Sequence, residues 1–297
     1  MKEAPRPAAE APNVSTIRAG RGQGENVEKQ KIRLTEEKET LLVPLFSKAA
    51  GSQGAHPILV DPKAEEILRH IEYDFEDLRI PRQTLITLAM RAKKLDSYVC
   101  DYLQRSDDPV VLHLGCGLDS RVLRVGFDRG AWYDVDYPDV IELRRQFYDE
   151  TADYHMIASS VTERGWLDRV ADASGPACIV AEGLLMYLHE EEVKRLFLDL
   201  QRRLPGSEIV FDAYSRLTAK GANRHPSIKK TGAHIHWGID DARQIEQWSP
   251  GIQMLDEWFF TDSEDIASLG SRDRFLFRTM GMFSMAKRAH RILRFRL

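Results

Sequence analysis

The run Val110–Val125, VVLHLGCGLDSRVLRV, constrains the fold of this chain more than any other stretch. Its short apolar segment, Val110–Leu114, leads directly into Gly115-Cys116-Gly117 and then into a segment of helical character. Closely spaced glycines at a strand-to-helix turn let backbone N–H groups approach a ligand, as in the nucleotide crevice of an open α/β sheet. Ser120 replaces the third glycine of the dinucleotide fingerprint. Because that glycine permits close packing beneath a pyrophosphate, its absence favours a ligand without one, such as S-adenosylmethionine.

Strand-like and helical runs alternate after this turn. The predicted strands are 110–114, 131–135, 154–158, 178–181 and 208–213, with helical runs such as 139–150 and 190–204 between them. This alternation predicts a mostly parallel sheet with right-handed crossovers, which is an α/β fold of the Rossmann-like type. Two further strand-like runs, 252–260 and 291–297, and a helix between them complete the chain.

The chain divides into an N-terminal tail and one domain. Residues 1–33 are rich in Ala, Pro, Gly and charged residues, so we expect a disordered tail that buries little apolar surface. Residues 34–297 form the predicted single domain. Its parts are a helical cap (34–105), a donor-binding core (106–213), an acceptor-binding or lid insertion (214–250) and C-terminal strands with a helix (251–297).

Composition narrows the class of protein and its partners. A hydrophobic fraction of 43%, a charged fraction of 30% and a net charge of −4 are typical of a soluble globular protein without a basic footprint for nucleic acid. No run approaches the roughly 20 apolar residues of a membrane span, and the first thirty residues lack the apolar core of a secretory signal. Three widely spaced cysteines indicate reduced thiols rather than disulfides or a zinc site. We therefore predict a cytoplasmic protein with no metal, membrane or nucleic-acid partner.

Two acidic residues follow predicted strands. Asp136 lies nineteen residues after Gly117, where a carboxylate can accept hydrogen bonds from both ribose hydroxyls of an adenosine ligand. Its alternative role is to cap the helix that begins near Pro138. Glu182 stands at the mouth of the fourth strand, and the alternative there is a solvated loop glutamate.

Six segments together resemble the leucine carboxyl methyltransferase family, and more closely its bacterial branch of polyketide-type O-methyltransferases. They are LFSKA (45–49), ILVDPKA (58–64), MRAKKLDSYV (90–99), LGCGLDSR (114–121), YDVDYP (133–138) and AEGLLMYL (181–188). The resemblance extends from about Leu34 to the C-terminus. It implies a class I methyltransferase fold with a seven-stranded sheet, and S-adenosylmethionine as the methyl donor.

The resemblance also implies roles for individual residues. Arg91 corresponds to an arginine that pairs with the methionine carboxylate of the donor, for which a bidentate guanidinium is well suited; spacing alone would make it a surface arginine on an amphipathic helix. Lys48 matches a lysine that reaches the donor or acceptor. Asp119 would stiffen the glycine turn or reach the donor's amino group, and Glu182 matches a glutamate at the donor site. With these, the predicted cofactor-binding set includes Gly115, Cys116, Gly117 and Asp136.

One segment departs from the family pattern. Related enzymes often carry Asp-Leu after the third strand, with the aspartate near the adenine amino group. The aligned pair here is Ser160-Val161. Because a serine hydroxyl can still accept a hydrogen bond from an amino group, we predict both residues in the cofactor site.

The acceptor is predicted from the chemistry of the nucleophile. A carboxylate is ionised at neutral pH and needs no general base, whereas a phenol usually does. The motifs contain no evident base, which favours a carboxylate on a small molecule. The alternatives are a phenolic hydroxyl, a peptide or protein C-terminal carboxylate, a non-catalytic donor-binding protein, and an NAD(P)-dependent oxidoreductase; the missing third glycine and the AEGLLMYL segment argue against the last.

Candidate acceptor contacts lie in two segments. Met186 and Tyr187 follow the fourth strand, where they could line a pocket or fill the core. The insertion supplies His234, His236 and Trp237; the alternative is a solvated loop with one packed tryptophan. Its cationic residues, such as Lys229 and Lys230, could attract an acidic acceptor. Tyr187 and His236 are the candidate catalytic groups, and His234-x-His236 lacks further ligands for a metal.

Overall fold

A computed structural model describes residues 41–52, 57–71, 73, 80–170, 175–224 and 233–297. The predicted tail (1–33), together with Lys229 and Lys230, lies outside these residues.

A seven-stranded sheet forms the centre of the molecule, in the order β3-β2-β1-β4-β5-β7-β6. The strands are β1 (Val110–Leu114), β2 (Ala131–Asp136), β3 (Tyr154–Ala158), β4 (Cys178–Ala181), β5 (Glu208–Tyr214), β6 (Gln253–Phe259) and β7 (His290–Arg296). Strands β1 to β5 pair in parallel, and β7 runs antiparallel to β5 and β6. The predicted α/β fold with a mostly parallel seven-stranded sheet is confirmed.

Helices cover both faces of this sheet. They are α1 (Leu42–Gly51), α2 (Pro62–His70), α3 (Arg82–Arg105), α4 (Arg121–Arg124), α5 (Pro138–Arg144), α6 (Glu190–Arg203), α7 (Arg216–Ala222), α8 (Ser271–Gly281) and α9 (Ser284–Lys287). Short 3-10 helices span Leu167–Arg169, Leu185–Tyr187, Ala242–Trp248, Phe260–Asp262 and Glu264–Ser268. Helix α5 ends earlier than the predicted run 139–150, and Glu150, which lies beyond it, accepts a hydrogen bond from the Met156 amide in β3.

Alternating strand residues face two hydrophobic clusters. On one face, Leu112 and Leu114 of β1 belong to the same cluster as Phe197 of α6. On the other face, Val111 shares a cluster with Val99 of α3. The second half of α3 therefore packs on the sheet itself, while α1 packs against both α2 and α3.

Among the described residues, no helix combines the length and the apolar character that crossing a bilayer requires.

Candidate active site

A cavity of about 520 Å³ lies at the carboxyl ends of β1, β2 and β4. The strand order reverses between β1 and β4, and ligands of open α/β sheets bind at such a switch point. The volume falls in the range of roughly 300–1,000 Å³ typical of small-molecule sites. We call two parts of its wall the charged half and the aromatic half. The charged half comprises Lys48, Arg91, Gly115, Gly117, Asp119, Asp136 and Glu182; the aromatic half comprises Met186, Tyr187, Tyr214, Thr218, His234, Ile235 and His236.

The glycine turn after β1 forms part of the charged half. Gly115 and Gly117 have φ angles of 63° and 51°, a region that side chains other than glycine rarely adopt. A Cβ atom at Gly115 would lie only 3.0 Å from the Leu184 side chain. Cys116 between them is buried, and burial raises the pKa of its thiol well above the usual value. The turn thus presents backbone, not reactive side chains, to a ligand.

Asp136 ties the end of β2 to this turn. Its Oδ2 accepts a hydrogen bond from the Gly117 amide and its Oδ1 one from the Tyr137 amide, both at 2.8 Å. Burial raises the pKa of Asp136 to about 6, although the two amide hydrogen bonds oppose the shift. Each carboxylate oxygen can accept more than one hydrogen bond, so the group retains capacity for two ligand hydroxyls. Asp136 does not cap helix α5, whose N-cap residue is Tyr137 and whose first turn receives no side-chain cap, so the structure does not support the capping alternative and is compatible with the ribose role.

Glu182 is the centre of a buried ion-pair network. Its Oε1 lies 3.0 Å from both Lys48 Nζ and Arg91 Nη2, and its Oε2 lies 2.5 Å from Arg121 Nη2. Burial alone would raise the pKa of Glu182, but these cations outweigh it and hold the pKa well below the usual range. The predicted alternative, a solvated glutamate, does not fit a residue that is 8% exposed.

Lys48 links this network to Asp119. Its Nζ lies 2.9 Å from Asp119 Oδ2, and Arg124 Nη1 lies 2.6 Å from Asp119 Oδ1. The charged half thus alternates cations with carboxylates, an arrangement that complements a zwitterion such as the amino-acid end of a ligand.

Arg91 is not a surface arginine, because only 3% of it is exposed. Its Nη1 donates to Asp212 Oδ2 at 2.9 Å and its Nη2 donates to Glu182 Oε1 at 3.0 Å. Two carboxylates therefore hold the guanidinium at the cavity wall.

Several residues of this site escaped the sequence prediction. His113 and Arg121 are buried, and Arg121 Nη1 lies 3.0 Å from His113 Nε2. The signal for His113 was visible, since it is the one polar residue in the strand VVLHL. Gly183 lay within the AEGLLMYL segment without being given a role, and Asp212 carried no signal, because the importance of both depends on which residues the fold places beside them.

The aromatic half is built on the 3-10 helix Leu185–Tyr187. The carbonyl of Met186 accepts hydrogen bonds from the His236 and Trp237 amides at 2.9 and 3.1 Å, which fixes segment 233–239 beside this helix. The rings of His189, His236 and His234 form a row, with successive centroids 4.1 and 4.6 Å apart. Met186, Tyr187, His234 and His236 all line the cavity as expected.

Trp237 does not line the cavity. It is 3% exposed and packs near Phe211 and Trp248, with ring centroids 6.2 and 6.4 Å away. The alternative of a packed tryptophan therefore describes this residue, since its large apolar ring is more stable inside the core.

Ser160 and Val161 also lie off the cavity wall. Val161 packs in a hydrophobic cluster, and Ser160 Oγ bonds the Thr162 hydroxyl at 2.8 Å. The wall next to Asp136 is instead formed by Tyr137 and Val140. The cavity lining gives no support for the predicted contact of Ser160 and Val161 with the adenine, and that contact stays a prediction.

No group of three or more His, Cys, Asp or Glu side chains among the described residues has a geometry suited to a metal ion.

A Rossmann-like sheet with a glycine turn, an acidic residue after β2 and a polar cavity at the switch point defines a nucleotide- or nucleoside-binding α/β protein. The model of one family, "Leucine carboxyl methyltransferase", matches residues 42–201. The chain belongs to the leucine carboxyl methyltransferase family, and the prediction of a methyltransferase is confirmed.

Two relatives cover nearly the whole domain. The chain is 39% identical to the tetracenomycin polyketide synthesis O-methyltransferase TcmP of Streptomyces glaucescens, over 89% of this chain and 98% of the relative. It is 30% identical to the S-adenosyl-L-methionine-dependent methyltransferase dpfgK of Gibberella zeae, over 89% of this chain and 96% of the relative. The predicted resemblance to the polyketide-type branch is thereby confirmed.

Solved structures support the fold alone. A DUF574 family protein from Streptomyces avermitilis superposes with a TM-score of 0.55 at 11% identity, covering 86% of this chain and 96% of that one. A protein from Thermobifida fusca described as a candidate methyltransferase superposes with a TM-score of 0.51 at 17% identity, covering 78% and 88%.

The residues of the charged half fit S-adenosylmethionine, the donor on which dpfgK depends by its name. The glycine turn leaves backbone space that a Cβ would fill, and Asp136 has acceptor capacity for ribose hydroxyls. Lys48 and Arg91 offer cations for a carboxylate, while Asp119 and Glu182 offer acceptors for an ammonium group. Every described residue of the charged half is thus consistent with S-adenosylmethionine as the cofactor.

Proposed function

We propose that this S-adenosylmethionine-dependent O-methyltransferase methylates a carboxylate on a small-molecule acceptor of polyketide-like or other secondary-metabolite type. The name of the family specifies a carboxyl group, and the relative TcmP is named for polyketide synthesis. The cavity volume of about 520 Å³ suits a small molecule beside the donor.

The charged half takes the donor. Asp136 accepts from the ribose hydroxyls, Arg91 and Lys48 bind the methionine carboxylate, and Asp119 and Glu182 accept from the amino group. S-adenosylmethionine supplies an electrophilic methyl group on its sulfonium sulfur. The protein has to align the acceptor oxygen with that methyl group and keep water out.

The observation that carries the carboxylate assignment is the ionic state of the buried groups at the cavity. Glu182 and Asp119 are held ionised by cations that depress the pKa of each well below the usual range, so both are weak bases. His113 Nε2 faces Arg121 Nη1 at 3.0 Å, which occupies its lone pair. A carboxylate acceptor requires none of them, because it is already ionised at neutral pH.

A phenolic acceptor is the second candidate, because His236 lines the aromatic half and is a possible base. Burial and the neighbouring His189 and His234 lower the pKa of His236, so it is neutral at pH 7 and able to accept a proton. Because His236 is exposed at the edge of the cavity, we expect it to accelerate proton removal from a phenol less than a buried base would.

The pH dependence of the methyl-transfer step separates these acceptors. Acids and phenols of similar size would first be screened for a gain of one methyl group by mass spectrometry, with a peptide ending in a free carboxylate as a third class. With saturating donor and acceptor, we expect a single-turnover rate that stays flat from about pH 7 to 9 for a carboxylate. A rate that rises steeply with pH and collapses in His236→Ala would establish base-assisted hydroxyl methylation instead.

The acidity of the acceptor and a cytoplasmic location are also part of the proposal. The acceptor's charge is supported by the two histidines that line the aromatic half, because a neutral imidazole can donate a hydrogen bond to a carboxylate. The location is supported by the free thiols of Cys100, Cys116 and Cys178.

A further inference from the structure

Asp212 lies in β5, behind the cavity wall, and is fully buried. It is not among the residues that line the cavity. Its two oxygens nevertheless bind three groups from three other parts of the fold. Oδ1 accepts from the Gly183 amide at 2.6 Å, while Oδ2 is 2.9 Å from Arg91 Nη1 and 2.8 Å from His290 Nε2.

Two of these partners, Arg91 and Gly183, are part of the cavity wall. Gly183 has a φ angle of 63°, and a Cβ atom there would lie 3.3 Å from both Nη atoms of Arg91. The guanidinium therefore rests against a position that only glycine leaves open. One carboxylate sets the position of both the arginine and the backbone against which it rests.

The third partner fixes the carboxylate itself. His290 is in β7, and burial lowers the pKa of its imidazole, so the ring is neutral and its Nε2–H donates to Asp212. Burial would raise the pKa of Asp212, but Arg91 and the hydrogen bond from His290 bring it to about 2. Asp212 is thus ionised at any working pH, with its orientation set from both sides.

We infer that Asp212 is a positioning residue for the methyl donor, which acts by holding the Arg91 guanidinium against Gly183 in the orientation that receives the donor's carboxylate. This inference rests on the proposed donor role of Arg91. Without Asp212, the one hydrogen-bonding carboxylate that Arg91 keeps among the described residues is Glu182, which it shares with Lys48 and Arg121. The guanidinium would then turn toward that remaining carboxylate, and its planar fork would no longer be aligned with the ligand.

A double-mutant cycle tests this inference, with S-adenosylhomocysteine as the probe and titration calorimetry as the readout. Asp212→Asn keeps the shape of the side chain but removes its charge. In the otherwise unchanged protein, we expect Asp212→Asn to weaken binding at least tenfold. In an Arg91→Ala background, the same substitution should change binding less than twofold, because the residue through which Asp212 acts is gone. A general loss of folding would instead weaken binding equally in both backgrounds.

A second variant tests the contact between the Arg91 guanidinium and Gly183 without changing any charge. Gly183→Ala places a methyl group against the guanidinium, so we expect at least a fivefold loss of affinity for S-adenosylhomocysteine. Gly126→Ala is its matched control, since Gly126 has a φ angle of 64° but nothing within 4 Å of the added Cβ. The control carries the same backbone strain and should bind the probe within twofold of the unchanged protein.

Each result has a separate meaning. If the unchanged protein does not bind S-adenosylhomocysteine, the proposed donor site is wrong. If it binds, the donor site stands and the positioning role is tested separately. That role is wrong if Asp212→Asn weakens binding equally with and without Arg91. It is also wrong if Gly183→Ala binds S-adenosylhomocysteine as well as Gly126→Ala does. Should Asp212→Asn fail to fold, the glycine pair alone decides the outcome.

Discussion

The two halves of the cavity are built in opposite ways. Most charged side chains of the charged half are buried and bound to one another: Lys48 and Arg91, together with Arg121 behind the wall, converge on Glu182 within 2.5–3.0 Å. In the aromatic half, His234 and His236 are exposed, and Tyr187 is half-buried. The first half is preorganised by ion pairs, whereas the second is shaped mainly by ring surfaces and backbone.

This difference matches what each half is proposed to recognise. A donor of constant structure benefits from groups that are already oriented before it binds, because little ordering is then needed on binding. Exposed rings such as those of His234 and His236 can change between related proteins at little cost to folding, since few buried contacts depend on them. We therefore expect substitutions in the charged half to affect stability and donor binding together, and those in the aromatic half to affect only the acceptor.

The largest effect is expected for Glu182→Gln. Removing this carboxylate leaves three buried cations without their common partner, and breaking a buried pair in this way typically costs about 3–5 kcal/mol. Urea unfolding should show this loss in the free energy of unfolding. Asp199→Asn is the control, because its partner Arg202 is 75% exposed and such surface pairs contribute less than about 1 kcal/mol. Equal losses in the free energy of unfolding would show that the buried network around Glu182 stabilises the fold no more than a surface ion pair does.

A smaller effect is expected for Asp136→Ala, because this substitution removes only the contacts to the ribose of the donor. Loss of the hydrogen bonds to the ribose should weaken S-adenosylhomocysteine binding at least tenfold, since bonds to a charged group contribute about 1.5–3 kcal/mol. Titration calorimetry measures this directly. The exposed Asp139 one turn away provides the comparison, and Asp139→Ala should bind normally. Normal binding by Asp136→Ala would leave that residue with only its structural hydrogen bond to the glycine turn.

The same carboxylate predicts a pH dependence of donor binding. Burial raises the pKa of Asp136 to about 6, and only the ionised form accepts from both hydroxyls. Affinity for S-adenosylhomocysteine should therefore fall about tenfold between pH 7 and pH 5. Glu182 and Asp119, held ionised by their cations, do not contribute over this interval. Asp136→Asn should abolish the dependence, and a dependence that persists in it points to another group.

The raised pKa of Asp136 also makes the free energy of unfolding depend on pH. The sign of this dependence is opposite to that for a salt-bridged carboxylate, whose pKa is lowered. The folded protein binds a proton near pH 6 but the unfolded chain only near pH 4, so the folded state takes up the proton first. The contribution of this group to the free energy of unfolding therefore grows as the pH falls from about 6 to about 4. Comparing urea unfolding of the unchanged protein with Asp136→Asn across that interval isolates it.

The smallest effect on donor affinity is expected from substitutions in the aromatic half. His236→Ala removes an exposed ring and should leave S-adenosylhomocysteine affinity and the free energy of unfolding nearly unchanged. Its expected effect is a several-fold rise in KM for an acid acceptor with little change in kcat. A tenfold loss of donor affinity in this variant would show that the two halves do not act separately.

The main features of the fold could be predicted from local pattern. Short β-branched runs separated by glycine turns and helical periods specify strands and crossovers, so the five parallel strands agree with their predicted bounds to within one residue. The helix after β2 was predicted too long: it ends at Arg144, and Glu150 accepts a hydrogen bond from the Met156 amide of β3, six residues further along the chain.

The amino-acid sequence by itself determined the sheet, the glycine turn and the family, because these depend on spacing along the chain. It also indicated Lys48, Arg91, Asp119, Asp136 and Glu182, which the fold gathers around one cavity. Only the tertiary structure decided that Trp237 packs in the core and that Ser160 and Val161 lie off the wall. It alone brought Asp212 of β5 against Arg91 of α3, residues 121 positions apart. The physical reason is that buried charges are stable only beside partners of opposite sign, and those partners are chosen by how helices pack on the sheet rather than by proximity in sequence.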